Sequence, residues 1–243
     1  MKNRYLIHLS YKGTAYHGWQ IQNNGITIQG VLQEKLSLIT REEIEITGCG
    51  RTDTGVHARN YIAHFDSNLK LENDKLVGKL NKILPVDIAI HEIRKVREGF
   101  HARFDATYRT YKYYIGFEKD AFANDLAWFM STRPDVAKMN EAAKVLFDYE
   151  DFTSFAKLHT DVKTNNCKIM KAEWQEYGGK LVFEITADRF LRNMVRAIVG
   201  TLILVGKGKI SIEDFRKIIE AKDRSLAGTS APACGLFLEE VGY

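Results

Sequence analysis

Ile44-Glu45-Ile46-Thr47 leads into Gly48-Cys49-Gly50-Arg51-Thr52-Asp53-Thr54-Gly55-Val56-His57-Ala58, and Tyr61-Ile62-Ala63-His64-Phe65 follows shortly after. The first and last of these runs read as strands, the first by its alternation of apolar and polar residues. The stretch between them reads as a structured loop carried by a sheet. It holds three glycines, one arginine, one carboxylate, a thiol and an imidazole, with no flexible filler. Glycine serves where a backbone takes positive φ or passes close to another chain segment. The two threonines beside Asp53 supply hydroxyls that can hold a tight turn. An ordinary turn is the plain alternative, since Asp and Gly occur in turns everywhere. The density of chemically active side chains argues for a site.

Outward from this loop, one order of elements occurs twice. Tyr5–Tyr11 alternates as a strand. Ile28, Val31, Leu32, Leu36 and Ile39 recur at helical spacing. Strands follow at 44–47 and 60–66, then a helix from Lys75 to Leu84 stopped by Pro85, then a strand from Ile88 to Val96. The second half offers a strand from Tyr108 to Phe117, a helix from Val136 to Phe147, and a hairpin of Ile169–Tyr177 and Leu181–Thr186 about Gly178-Gly179. A long apolar helix from Phe190 to Val205 comes next. Ser211 is an N-cap for an additional helix from 212 to about 221, and Gly235–Val241 closes as a strand. Each half therefore reads β-α-β-β-α-β, the split βαβ of ferredoxin-like and RRM-like domains. The expected fold class is α+β. Its halves, residues 1–105 and 106–243, share one continuous antiparallel sheet with helices on one face and a central cleft on the other. The duplication rests on element order, since the halves share no evident sequence identity, and no linker of biased composition separates them.

Composition sets bounds. The 243 residues are 45% hydrophobic and 27% charged, enough for one large or two ordinary cores. The net charge of +4 suits an RNA partner and many other roles equally. Cys49, Cys167 and Cys234 are odd in number and far apart, and no zinc-binding spacing is present. A reducing, cytoplasmic setting is expected. The N-terminal residues lack a secretory apolar core, and the run Ile198–Val205 is too short to span a bilayer.

Four further stretches carry candidates. Tyr11–Gln20, with Tyr16 and His17 between two glycines and Trp19 just after them, is either a loop that stacks a base or an aromatic-rich turn. Phe100-His101-Ala102-Arg103-Phe104 leads into Tyr108–Tyr113, where Arg109, Tyr111 and Tyr113 share one strand face. Such a face can hold a base and phosphates, although tyrosine is also a common strand residue. In Phe190–Gly200, Arg192 and Arg196 are read as i, i+4 neighbours on a helix. Arg196 lies among Val195, Ala197, Ile198 and Val199, so its guanidinium calls for a partner, and Asp53 is the one expected. Ala227–Leu238 is a loop entering the last strand.

These stretches resemble, in order, the motifs of the tRNA pseudouridine synthase A family. The match is tightest at Gly50–Ala58, where Thr54 stands in place of the family's usual Ala. Lys12 stands where the family commonly has Asp, and Asp105 where it has a small hydroxyl residue. The resemblance implies isomerisation of uridine to pseudouridine at tRNA positions 38, 39 and 40, in the anticodon stem-loop, without cofactor or metal. It implies Asp53 as nucleophile or initiating base, Arg196 as the cation keeping Asp53 ionised, and Tyr111 as the residue stacking on uracil and removing the C5 proton. Arg51 would fill the space of the flipped base or hold a phosphate. Thr52, His57, Arg103, Arg109, Tyr113, Arg192, Leu236 and Leu238 are the implied substrate-binding residues, the last two lining the uracil pocket. The resemblance also implies a cytoplasmic homodimer with tRNA lying across both subunits. Arg59, Lys79, Arg103, Lys157 and Lys163 are candidates for guiding the RNA.

Three other readings compete with it. Cys49 as a nucleophile adding to pyrimidine C6 would make the chain an RNA uridine methyltransferase, which needs a methyl-donor loop the sequence does not offer. Two RRM-like halves without catalysis explain the tyrosines but not a central carboxylate, which repels phosphate. A purely structural role leaves the motifs unexplained.

Overall fold

The structure of the chain, a computed structural model, describes residues 2–121, 123, 125–157 and 164–243. Lys163 lies outside the described residues. The chain divides into two compact units, Met1–Thr107 with Leu238–Tyr243, and Tyr108–Phe237.

In the first unit, β1 (Asn3–Tyr11), α1 (Ile28–Thr40), β2 (Ile46–Gly48), β3 (His57–Ser67), α2 (Asn73–Ile83) and β4 (Ile88–Lys95) follow in the expected order. β1 is central, antiparallel to β3 on one side and to β4 on the other, with β2 antiparallel to β3. Tyr5, Ile7, Leu9 and Tyr11 of β1 and Tyr61, Ala63 and Phe65 of β3 are buried, and the rings of Tyr5 and Phe65 stack. The alternate residues Arg4, His8 and Ser10 are partly exposed, so one face of the sheet is covered and the other more open. Helix α1 starts where the Thr27 hydroxyl accepts from the Gly30 N–H at 3.2 Å, and it buries Ile28, Leu32 and Leu36. Helix α2 ends because Leu84, preceding Pro85, takes extended backbone angles. The end of the chain belongs to this unit: the Thr107 N–H donates to the Gly242 carbonyl, and Asn60 Nδ2 donates to that of Glu239.

The second unit comprises β5 (Tyr108–Gly116), β6 (Trp128–Phe129), α3 (Val136–Lys144), β7 (Ile169–Tyr177), β8 (Lys180–Ala187), α4 (Met194–Gly206), α5 (Ile212–Glu220) and the start of β9 (Leu236–Gly242). β8 lies antiparallel between β5 and β7, pairing Tyr113 with Phe183 and Phe183 with Trp174. The short β6, which sequence reading missed, runs parallel to β5. α5 begins at a reciprocal capping box between Ser211 and Asp214, as its sequence indicates.

Two expected helices are shorter than their apolar periodicity suggests. The α3 segment tightens to a 3-10 turn from Val145. More consequentially, α4 begins at Met194 and not at Phe190, because Asn193 takes a left-handed backbone (φ 67). Arg192 therefore lies outside the helix, and the expected i, i+4 relation of Arg192 and Arg196 on its surface does not hold. From Met194 to Val205 nearly every residue of α4 is buried, as expected of a helix apolar all round.

A buried histidine gives the first unit a pH dependence. His64 is 5% exposed and its Nδ1 accepts the Ala102 N–H at 3.1 Å. Burial foremost, with the positive charge of Arg4 and the neighbouring His101, lowers its pKa to about 4, against the opposing pull of Asp66 and Asp105. An unfolded histidine titrates near 6.5. Between those values the unfolded chain binds more protons, so stability is full above the window and falls as pH drops through it, by up to about 3 kcal/mol. Denaturant midpoints measured from pH 7 to pH 4 should therefore decline. The decline should flatten in His64→Asn, whose Oδ1 can still accept from Ala102. An unchanged slope in that variant would assign the pH dependence elsewhere.

Candidate active site

The Gly48–Ala58 loop is built from below. Trp19 and Tyr61 stack at 4.0 Å, and Tyr11 lies within 6.2 Å of both rings; all three are buried. Gly48 is the floor of this arrangement, since a Cβ there would fall 2.1 Å from Tyr61 Oη and 2.6 Å from the Trp19 ring. The Tyr61 hydroxyl donates to the Gly50 carbonyl, and the Tyr11 and Thr52 hydroxyls lie 2.9 Å apart. The Trp19 N–H donates to the Thr52 carbonyl at 3.3 Å. That contact needs Gly18, which has φ +82 and whose Cβ would lie 2.3 Å from the Thr52 oxygen. On the far side of Asp53, the Val56 N–H donates to the Asp53 carbonyl at 3.1 Å, and the Gly13 N–H donates to His57 Nδ1 at 3.0 Å.

This framework sorts the sequence candidates. Arg51 is exposed and Asp53 is half-buried at the top of the loop. The family resemblance implies Thr52 and His57 as substrate contacts. They are 8% and 1% exposed, with polar atoms turned into the protein, and they hold the loop. Tyr11–Gln20 follows its plainer reading. Tyr11, Tyr16 and Trp19 are core residues and are not placed to stack a base. The Tyr16 hydroxyl donates to Asp87 Oδ1 at 2.6 Å, and burial followed by that carboxylate raises its pKa. Cys49 is 1% exposed, with its N–H bonded to the Ile62 carbonyl, which suits a small packed residue and not a nucleophile.

In the second unit, β5, the start of α4 and the loop before β9 converge. The Tyr111 ring meets Phe190 edge-on at 5.2 Å, both half-buried. Arg109 donates to the Asp188 carbonyl at 2.9 Å. Arg196 Nε donates to the Ala231 carbonyl at 2.7 Å, while the Ala231 N–H donates to the Arg196 carbonyl at 2.9 Å. Tyr113 is fully buried, and its hydroxyl donates to the Pro232 carbonyl at 2.7 Å. Burial, then the neighbouring Cys234, raises the Tyr113 phenol's pKa, so it supports the loop as a neutral donor. Gly200 lets this loop lie on α4, because a Cβ there would fall 1.9 Å from the Thr229 carbonyl oxygen. Asn193 Nδ2 and Arg224 both donate to Ser230 Oγ. Arg192 is exposed, with its carbonyl accepting the Lys157 N–H. Leu236 is 6% exposed, and Leu238, which belongs to the first unit, is 2% exposed.

Sequence reading missed Phe190 as the neighbour of Tyr111, and the carbonyls of Ala231 and Pro232 as acceptors for Arg196 and Tyr113. Backbone acceptors leave no mark in a sequence. The one available signal was Asn193, a residue type that tolerates the left-handed conformation ending such a segment. Among the described residues no group of three His, Cys, Asp or Glu side chains is placed to hold a metal ion, and no helix is long and apolar enough to cross a membrane.

The support under the aspartate loop is open to test. Gly18→Ala combines a left-handed backbone with a clash on Thr52, and should lower folding stability by about 1–3 kcal/mol. It should also shift Trp19 emission as the Tyr61 stack loosens. A variant with native stability and spectrum would show that the Gly18–Thr52 contact is dispensable. A family profile described as tRNA pseudouridine synthase matches residues 8–105 and 142–243. The tRNA pseudouridine synthase A of Bacteroides fragilis is 57% identical over 242 residues, covering 99% of this chain and 96% of the relative. That of Parabacteroides distasonis is 56% identical over 241 residues, 99% and 96% of the two chains. The Bacillus subtilis protein of the same name is 40% identical over 239 residues, 97% of each chain. Likeness of that extent makes the chain a member of the tRNA pseudouridine synthase family, an isomerase acting on uridine in tRNA.

Proposed function

We propose that the chain converts uridine to pseudouridine at positions 38, 39 and 40 of the tRNA anticodon stem-loop, with Asp53 as its nucleophile or initiating base. The observation that carries this reading is the Gly48–Ala58 loop, which a buried aromatic cluster supports while Arg51 is exposed and Asp53 half-buried. The half spanning 1–105 brings that loop. The half spanning 106–243 brings the tyrosine strand and the arginine helix. In the reaction the N1–C1′ bond breaks, the uracil turns, C5 joins C1′, and the proton leaves C5 while N1 gains one. Atoms and charge balance with nothing added and no redox change, so side chains alone can serve. Asp53 starts the step at the sugar or the base, Arg196 serves as its counter-charge, and Tyr111 stacks on the uracil and takes the C5 proton. Arg51 fills the place of the flipped nucleotide or holds its phosphate, offsetting an unstacking cost of a few kcal/mol. Arg103, Arg109 and Arg192 contact the RNA, and Leu236 and Leu238 shape the uracil pocket. Thr52, His57 and Tyr113 act through the loops they hold. The family resemblance supports a cytoplasmic homodimer as the working form.

Tritium release from C5 of labelled tRNA transcript tests the proposal directly. Wild type should release, and Asp53→Asn should fall to background while keeping its affinity for the same tRNA. Release by that variant at more than a few percent of wild type would remove Asp53 from the chemistry. Mapping the product should find pseudouridine at positions 38, 39 and 40; product elsewhere would overturn the site assignment. Tyr111→Phe keeps the stacking ring and loses the phenol. A loss of about 100-fold or more in rate at unchanged affinity is expected for an acid–base group. A rate near wild type would leave Tyr111 with stacking alone.

A further inference from the structure

A turn at residues 100–105 presents an open aromatic ring beside a guanidinium, away from the aspartate loop. Phe104 is 73% exposed, the most exposed aromatic ring but one among the described residues. Its ring lies 4.2 Å from that of His101, and the Arg103 guanidinium carbon is 5.5 Å from its centroid. The backbone beneath is firmly held. His101 Nδ1 accepts the N–H groups of both Arg103 (3.1 Å) and Phe104 (3.2 Å). The His101 N–H donates to Asp105 Oδ2 at 3.2 Å, and the Asp105 N–H donates to the His101 carbonyl at 3.0 Å. Arg97 pairs with Asp105. The turn is anchored to the sheet through Ala102, whose N–H donates to His64 and whose carbonyl accepts the Tyr243 hydroxyl. His64 stands seven residues along β3 from His57, roughly 23 Å at ordinary strand rise.

Exposing a phenylalanine on a rigid turn sacrifices burial that would favour folding, and none of these bonds needs the ring outside. An aromatic ring beside an arginine is the pairing that binds unpaired nucleotides, the ring taking the base and the cation its phosphate. Because the backbone is already ordered, binding costs little conformational entropy. We infer that Phe104 and Arg103 form a nucleotide-stacking contact for the tRNA substrate, remote from the reacting uridine and serving to position the RNA. The inference rests on the isomerase reading above for its partner. It adds a positioning residue, Phe104, which that reading does not use.

The test compares wild type with Phe104→Leu, Phe104→Trp and Arg103→Gln, using one tRNA transcript in binding titrations, salt series and tritium release. Phe104→Leu should raise Kd and KM together by about tenfold, as expected for losing one stacked base. Its kcat and thermal midpoint should stay near wild type, and Phe104→Trp should restore affinity. Arg103→Gln should reduce the slope of log affinity against log salt by about 1. Unchanged Kd and KM in Phe104→Leu would overturn the inference while leaving the enzyme reading intact, since wild type would still release tritium. A shift of Phe104→Leu to a smaller sedimenting species would also overturn it, by making the ring a contact between copies of the chain. If wild type releases no tritium, the isomerase reading fails by itself, and the binding arm still decides whether Phe104 holds RNA.

Discussion

The first unit depends on one close approach, the Trp19 N–H resting on the Thr52 carbonyl through a residue that has no side chain. Gly18 permits it by having no Cβ and by taking φ +82. The near side of the Asp53 loop is held by this contact and the ring stack below it. Trp19 brings its indole against Tyr61, Tyr61 bonds Gly50, and Tyr11 bonds Thr52. The loop thus reaches its shape before any RNA arrives. If Asp53 has the role proposed for it, its carboxylate need not be assembled during the reaction, which is where fixed polar groups have their largest effect on rate.

The second unit solves a similar problem by other means. Its loop before β9 is laid on α4 where Gly200 leaves room, then tied by the two reciprocal bonds of Arg196 with Ala231 and by the Tyr113 hydroxyl. Arg196 is thereby a structural residue as well as a proposed catalytic one. Replacing it disturbs the loop together with the charge, so lost activity in such a variant does not separate the two roles.

Much of the fold could be read directly, because local chemistry and long-range packing agree. Ser211 with Asp214 marks a helix start, Pro85 a helix stop, and alternation in Tyr5–Tyr11 a half-covered strand. The aspartate loop was legible for its density of active groups. What failed has identifiable causes. Phe190 and Leu191 extend the apolar period of α4, and only the left-handed Asn193 breaks it. Aromatic residues between regular elements look alike whether they stack on RNA or on one another, and only their burial marks Tyr11, Tyr16 and Trp19 as core residues. Thr52 and His57 carry a contact role only through the family resemblance, which does not say which side chains face inward. A buried hydroxyl or imidazole is unremarkable once its partner is known, but partners far along the chain are invisible in sequence.

The placement of the Ala227–Gly235 loop bears on how the chain tolerates changes of length. Gly228 and Thr229 pass over Gly200, Ser230 takes bonds from two sides, Ala231 is clasped by Arg196, and Gly235 lies against the Tyr113 ring. With a tie at almost every step, one residue more or fewer would break several of these contacts at once. The preceding stretch from Ala221 to Ser225 is largely exposed. Natural insertions and deletions in this part of the family should collect there, ahead of a loop whose length is set by the helix beneath it.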